Sequence, residues 1–194
     1  MKGLMVGIVL CGLAGAGAAA TKARLQRKTL AQSTEIQGYQ CAKGYAWFYT
    51  DGKLKECAVA RDTDFGVPPQ RTGSPGTPVL ARAPAGSWIN LTRDGKPDFL
   101  FLVRDTNILG YSCRGGNRLL GPTEGAMTGF YPSGKLKYCW LTADREVQGV
   151  ACAGSGMFSG KSEVDFYEDG RLKGCKLAKD YGSLKAGERF SQSR

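Results

Sequence analysis

Three sets of residues in this 194-residue chain recur at spacings that could do chemistry. Asp62, Asp105, Asp144 and Asp180 each close a stretch of spaced apolar residues, and stacked carboxylates of that kind could form a calcium ladder. Calcium takes several oxygen donors, however, and each local stretch supplies one or two, so capping of a turn by the aspartate side chain is the plainer reading. The second set pairs tyrosine with cations: Tyr49 with Lys53 and Lys55, Tyr131 with Lys135 and Lys137, Tyr167 with Arg171 and Lys173. Aligned on one face, these would offer rings and positive charge to an anionic envelope polymer, a lipid head group or a protein partner. Their plainer reading is a solvated sheet face whose lysines guard against edge-to-edge pairing.

Cysteines form the third set. Of seven, six lie beyond the apolar leader, and no two have C-x-x-C spacing, which argues against a zinc or redox site. Cys57, Cys139 and Cys175 each follow a turn glycine by five residues, while Cys41, Cys113 and Cys152 end a second recurring phrase, as in Gly110-Tyr111-Ser112-Cys113. One copy carries Leu100 in the first slot, and Gly76-Thr77-Pro78-Val79 puts Val79 in the second. Both slots turn apolar together, as positions in contact would. The expected bonds are Cys41–Cys57, Cys113–Cys139 and Cys152–Cys175, with Val79 against Leu100.

Catalytic chemistry finds little footing. There is no histidine, which removes the commonest general base and metal ligand. No spacing singles out a carboxylate pair or an activated serine, and Gly154-Ser155-Gly156 and Gly115-Gly116 open onto no helix that would cradle phosphate. No catalytic residue, cofactor or metal is expected, and nucleic acid is not an expected partner.

The elements that position these residues are hairpins. Phe48-Tyr49-Thr50-Asp51-Gly52-Lys53-Leu54-Lys55 returns as Leu91-Thr92-Arg93-Asp94-Gly95-Lys96-Pro97-Asp98, as Phe130-Tyr131-Pro132-Ser133-Gly134-Lys135-Leu136-Lys137 and as Phe166-Tyr167-Glu168-Asp169-Gly170-Arg171-Leu172-Lys173. The glycines lie 43, 39 and 36 residues apart, a period at which single supersecondary units stack on one another. Each phrase reads as a type I turn followed by a left-handed glycine, which sets Phe48 against Leu54, Leu91 against Pro97, Phe130 against Leu136 and Phe166 against Leu172. After the turn the apolar spacing is three and then two (Leu54, Cys57, Val59), which predicts a bulge or a change of face in each return strand. A short third strand should lead into each cysteine phrase. The proline-bearing stretch 66–86 and the glycine-rich stretches 114–126 and 153–162 read as loops.

Met1-Lys2, an apolar run and Ala18-Ala19-Ala20 fit a secretory signal over residues 1–20, with lipidation at Cys11 the alternative. Residues 21–37 read as a polar lead-in, possible helix over 22–33 included, residues 38–184 as the β domain and 185–194 as a polar tail. Hairpins are placed near 45–60, 87–103, 127–142 and 163–178. The formal charge of +10 falls to +9 without the leader. Asn90-Leu91-Thr92 matches a glycosylation sequon.

The phrase aromatic-Tyr-x-Asp-Gly-Lys-Leu-Lys resembles the variant MORN-type repeats of bacterial proteins. The likeness covers the four hairpins; the longer period, the cysteine phrase and the closing aspartate depart from it. It implies an antiparallel β array that scaffolds or binds proteins and lipid head groups, and no catalytic residues carry over. The expectation is therefore an all-β antiparallel hairpin array of four repeats, stapled by disulfides, exported to the periplasm or cell surface, and acting by non-catalytic binding. An envelope hydrolase with its site in the Pro/Gly-rich insertions, or a purely structural assembly component, are the alternatives.

Overall fold

The computed structural model of the protein describes residues 25–66, 80–116, 127–155 and 162–192, and all regular structure among them is antiparallel β. Ten strands follow one another as a meander: β1 (Gln26–Leu30), β3 (Tyr39–Phe48), β4 (Leu54–Val59), β7 (Trp88–Leu91), β8 (Pro97–Phe101), β11 (Met127–Phe130), β12 (Leu136–Trp140), β15 (Glu163–Phe166), β16 (Leu172–Lys176) and β17 (Arg189–Ser191). Long hairpins β3–β4, β7–β8, β11–β12 and β15–β16 coincide with the recurring phrase.

Their turns have the expected chemistry. Gly52, Gly95, Gly134 and Gly170 take φ of 81, 76, 85 and 90°, the left-handed region that closes a type I turn with a bulge. Register then pairs Phe48 with Leu54, Leu91 with Pro97, Phe130 with Leu136 and Phe166 with Leu172, and shifts by one residue immediately beyond. Lys55, Asp98, Lys137 and Lys173 are the extra residues of the return strands. This bulge is the physical reason for the three-then-two spacing.

Short hairpins cover the inner face of the sheet. They are β2 (Thr34–Ile36) with the start of β3, β5 (Thr63–Gly66) with β6 (Leu80–Ala83), β9 (Thr106–Ile108) with β10 (Tyr111–Cys113), and β13 (Arg145–Val147) with β14 (Val150–Cys152). The single short third strand expected from the sequence is thus two strands. The turns Gln37-Gly38, Leu109-Gly110 and Gln148-Gly149 join them, with φ of 53 and 84°, 53 and 85°, and 51 and 84°. Positive φ at both central residues is the mark of a type I′ turn, whose twist suits a two-residue hairpin loop. In β5–β6 the connection is instead residues 67–79, which lie outside the described residues.

Inward residues of the sheet and the short hairpins make one core. Leu54, Ile89, Leu91, Leu100, Leu102, Leu136, Leu141 and Leu172 are wholly or almost wholly buried in it. Cys41–Cys57, Cys113–Cys139 and Cys152–Cys175 are bonded, each joining a short hairpin to the return strand beneath it, with Cα separations of 5.8, 5.7 and 5.7 Å. Val79 falls outside the described residues. The register moves the slot to Ala83, which opposes Thr63 as Cys41 opposes Thr34 and Cys113 opposes Thr106. The Gly-x-x-slot phrase marks the slot only where a two-residue turn joins the short strands, and β5 and β6 are joined by residues 67–79 instead.

Both ends of the chain's β domain reach further than expected. Residues 26–30 and 34–36, read as a polar lead-in, are β1 and β2, and part of the polar tail is β17, paired with β16. The signal sequence, Cys11 and residues 117–126 and 156–161 lie outside the described residues.

Candidate functional site

The closing aspartates cap backbone. Asp62, Asp105, Asp144 and Asp180 accept from the N–H of Ala85, Gly115, Gly154 and Ala186 at 2.9, 2.9, 2.8 and 2.9 Å. Among the described residues no group of three acidic, cysteine or histidine side chains could hold a metal ion. Asn90 of the sequon is 3% exposed and donates to Glu56 Oε2 at 3.0 Å, so in the folded chain it is closed to glycosylation.

The tyrosines of the recurring phrase clamp one hairpin to the next. Tyr49 and Tyr131 donate to the carbonyls of Leu91 and Phe166 at 2.7 and 2.8 Å, and Tyr167 donates to that of Gln192. Cations rest on their rings: Lys55 and Arg93 at 5.4 and 5.0 Å from the Tyr49 centroid, Lys137 at 5.8 Å from Tyr131, Arg171 and Lys173 at 5.3 and 6.0 Å from Tyr167. Those ring faces are therefore already occupied by positive charge. Lys55 is largely withdrawn from solvent as well: it donates to Asn90 Oδ1 and to the Leu91 carbonyl, and lies 3.5 Å from Asp98. Arg171 pairs with Asp169 of its own turn at 2.8 Å. Lys53, Lys96, Lys137 and Lys173 are exposed, and Lys135 is partly so. The structure thus gathers the predicted cations along the turn edge of the sheet but turns the predicted tyrosines to a structural task.

A second set of residues, further from the turns, escaped the sequence reading. Outside the bulge, side chains that alternate with the core point to the outer face of the sheet, which lies opposite the short hairpins and which no other described strand covers. The register runs Trp47–Glu56–Asn90–Phe99 and on through Gly129–Tyr138–Asp165 in one row. It runs Ala58–Trp88–Phe101 and on through Met127 to Trp140–Glu163 in the next. All three tryptophans of the chain stand on this face, half-buried between neighbours. Their signal was present in the flanks of the cysteine slot: in Phe99-Leu100-Phe101 and Tyr138-Cys139-Trp140 the central residue points in, so the outer two point out.

Acidic groups sit among these rings. Trp140 Nε1 donates to Glu163 Oε2 at 3.4 Å, and Asp165 pairs with Arg189. Burial, and next the adjacent Asp165 carboxylate, push Glu163 above the usual carboxylate range, and burial does the same to Glu56 against the pull of Asn90 and Lys55. Tyr138 is pushed up to about 12 by burial and by the nearby Glu163, Asp98 and Asp165. A carboxyl with a raised folded pKa holds its proton more tightly in the folded chain than in the unfolded one. Stability is therefore unaffected below the unfolded value and falls as pH rises from there through the folded pKa. Glu163→Gln keeps an acceptor for Trp140 and removes the charge, so its denaturant midpoint should exceed the wild type's at neutral pH and lose this part of the pH slope. Equal pH slopes in the two proteins would disprove this assignment.

No protein-family profile, no curated protein sequence and no solved structure matches the chain.

Proposed function

We propose that this is an exported, non-catalytic binding or scaffolding protein of the cell envelope, which holds anionic polymer or lipid head groups along the turn edge of its sheet. The observation that carries the reading is the line of cations at that edge. Lys53, Lys96, Lys135 and Arg171 occupy the same position in successive hairpins, two strands or about 10 Å apart, with Lys137 and Lys173 beside them. A regular row of charges at that spacing suits a polymer with repeating anionic groups or a sheet of head groups better than a single small anion. The resemblance of the hairpin phrase to variant MORN-type repeats supports the same reading, and the three disulfides fit an oxidising, exported setting.

Salt decides the matter, because exposed charges are screened over about 10 Å at roughly 0.1 M ionic strength. The mature protein should co-sediment with cell-envelope fractions at low salt and be released as salt rises. Reversal of Lys53, Lys135 and Lys137 to glutamate should abolish sedimentation at any salt. Binding that is indifferent to both would rule the cation edge out.

A further inference from the structure

We infer that the open face of the sheet, inward from the cation edge, is a platform for an extended neutral sugar chain. Trp88, Phe101 and Trp140 mark one row and Tyr138 the row beside it, where Phe99 already has the Lys55 ammonium 5.9 Å from its centroid. Strands lie about 4.8 Å apart, so the rings from Trp88 to Trp140 span about 14 Å, the length of several sugar units rather than of one. Phe99 and Phe101 meet edge to face with centroids 5.5 Å apart. Tyr138 lies across Gly129, where an added Cβ would stand 2.4 Å from its ring. The missing Cβ leaves room for the Tyr138 ring over Gly129, whereas Phe99 and Phe101, at 83° to one another, do not share a plane.

Composition and charge select the ligand. In the two rows the apolar residues are aromatic apart from Ala58 and Met127, with no Leu, Ile or Val, in contrast to the inner face. Protein interfaces also favour aromatic residues, but their centres are depleted of charge, whereas here Glu56, Glu163 and Asp165 stand among the rings. Asp165 pairs with Arg189 and Lys55 lies 3.5 Å from Asp98, while Glu56 accepts from the neutral amide of Asn90 and Glu163 from the Trp140 indole. On a chain of net charge +10 the groups named on this face, Glu56, Asp98, Glu163 and Asp165 against Lys55 and Arg189, carry an excess of carboxylate that would repel phosphate and sulfate. A neutral pyranose meets both demands, with C–H faces to lie on rings and a rim of hydroxyls to bond carboxylates. A row that runs about 14 Å across successive strands further requires a chain that stays extended, as a β-1,4-linked one does and a coiling α-1,4-linked one does not.

This rests on the reading of the protein as an envelope binder but not on the cation edge, and the two fail separately. The oxidised mature protein is titrated with cellohexaose, chitohexaose and maltohexaose while tryptophan fluorescence and its quenching by acrylamide are followed. A saturable change and protection from quencher are expected with at least one β-linked hexaose and not with maltohexaose, unchanged by salt and by Lys137→Glu. Trp88→Ala and Trp140→Ala should each weaken binding about tenfold, the loss of one stacked ring. Urea midpoints show that these variants fold, and wild-type quencher protection needs no variant. Absence of change with both β-linked sugars overturns the proposal even if envelope binding is salt-sensitive. So does affinity that survives both ring removals or is lost on adding salt. Quencher protection that grows with protein concentration alone would overturn it too, assigning the face to a second copy of the chain.

Discussion

Joint replacement of Cys113 and Cys139 by alanine is expected to lower the unfolding free energy by about 3–4 kcal/mol, the chain-entropy value for a loop of their separation, 26 residues. The physical setting makes this bond more than an entropic tether. Cys113 lies on β10 and Cys139 on β12, and both are fully buried. The bond therefore ties a three-residue strand covalently to the sheet, beside the Tyr111–Phe166 ring contact at 4.8 Å. Backbone bonds from Arg114 N–H to the Trp140 carbonyl at 2.7 Å and from Thr142 N–H to the Ser112 carbonyl at 3.0 Å seal the same junction. Urea titration of the double variant against the wild type measures the loss. A change under about 1 kcal/mol would mean that packing alone holds the short hairpin, as it already must where Leu100 and Ala83 replace the cysteines.

Gly154→Ala is the second large effect. Gly154 N–H is capped by Asp144, and a Cβ there would fall 2.3 Å from the backbone of Ala143. Ser155 N–H, one residue on, donates to the Leu141 carbonyl at 2.7 Å, so the segment cannot retreat without breaking main-chain bonds. Overpacking against side chains costs about 1–3 kcal/mol, and rigid backbone puts this case at the upper end, about 3 kcal/mol. Ala85, capped in the same way by Asp62, already carries a Cβ, so Ala85→Gly should change stability by no more than about 1 kcal/mol. Denaturant midpoints of the two variants test the contrast, and equal midpoints would refute it.

What the sequence disclosed follows from the range of the forces involved. Turn position, cross-strand partners and disulfide pairing are set within one hairpin and its neighbour, and the left-handed glycine and apolar spacing write them directly into the chain. The short hairpins were half seen. Type I′ turns usually carry Asn or Gly first, and Gln37, Leu109 and Gln148 hide that signature. Gln37 and Gln148 use their side chains to accept from the N–H of Leu54 and Leu172 at 3.1 and 2.9 Å, a tertiary compensation that no local rule anticipates. The candidate site was legible in composition but not in arrangement. Tyrosine beside lysine suggested open rings, yet each tyrosine reaches a carbonyl that register places beside it. The tryptophans became a platform only once the bulge had set which residues face outward.

Every bonded cysteine is joined to the next one along the chain: the first to the second, the third to the fourth, the fifth to the sixth of those among the described residues. A polypeptide that emerges amino-end first into an oxidising space and closes each thiol onto its immediate successor arrives at the native set without reshuffling. For this molecule, order along the chain and native pairing are the same thing, so in the proposed exported setting sequential closure needs an oxidant and no reshuffling of bonds.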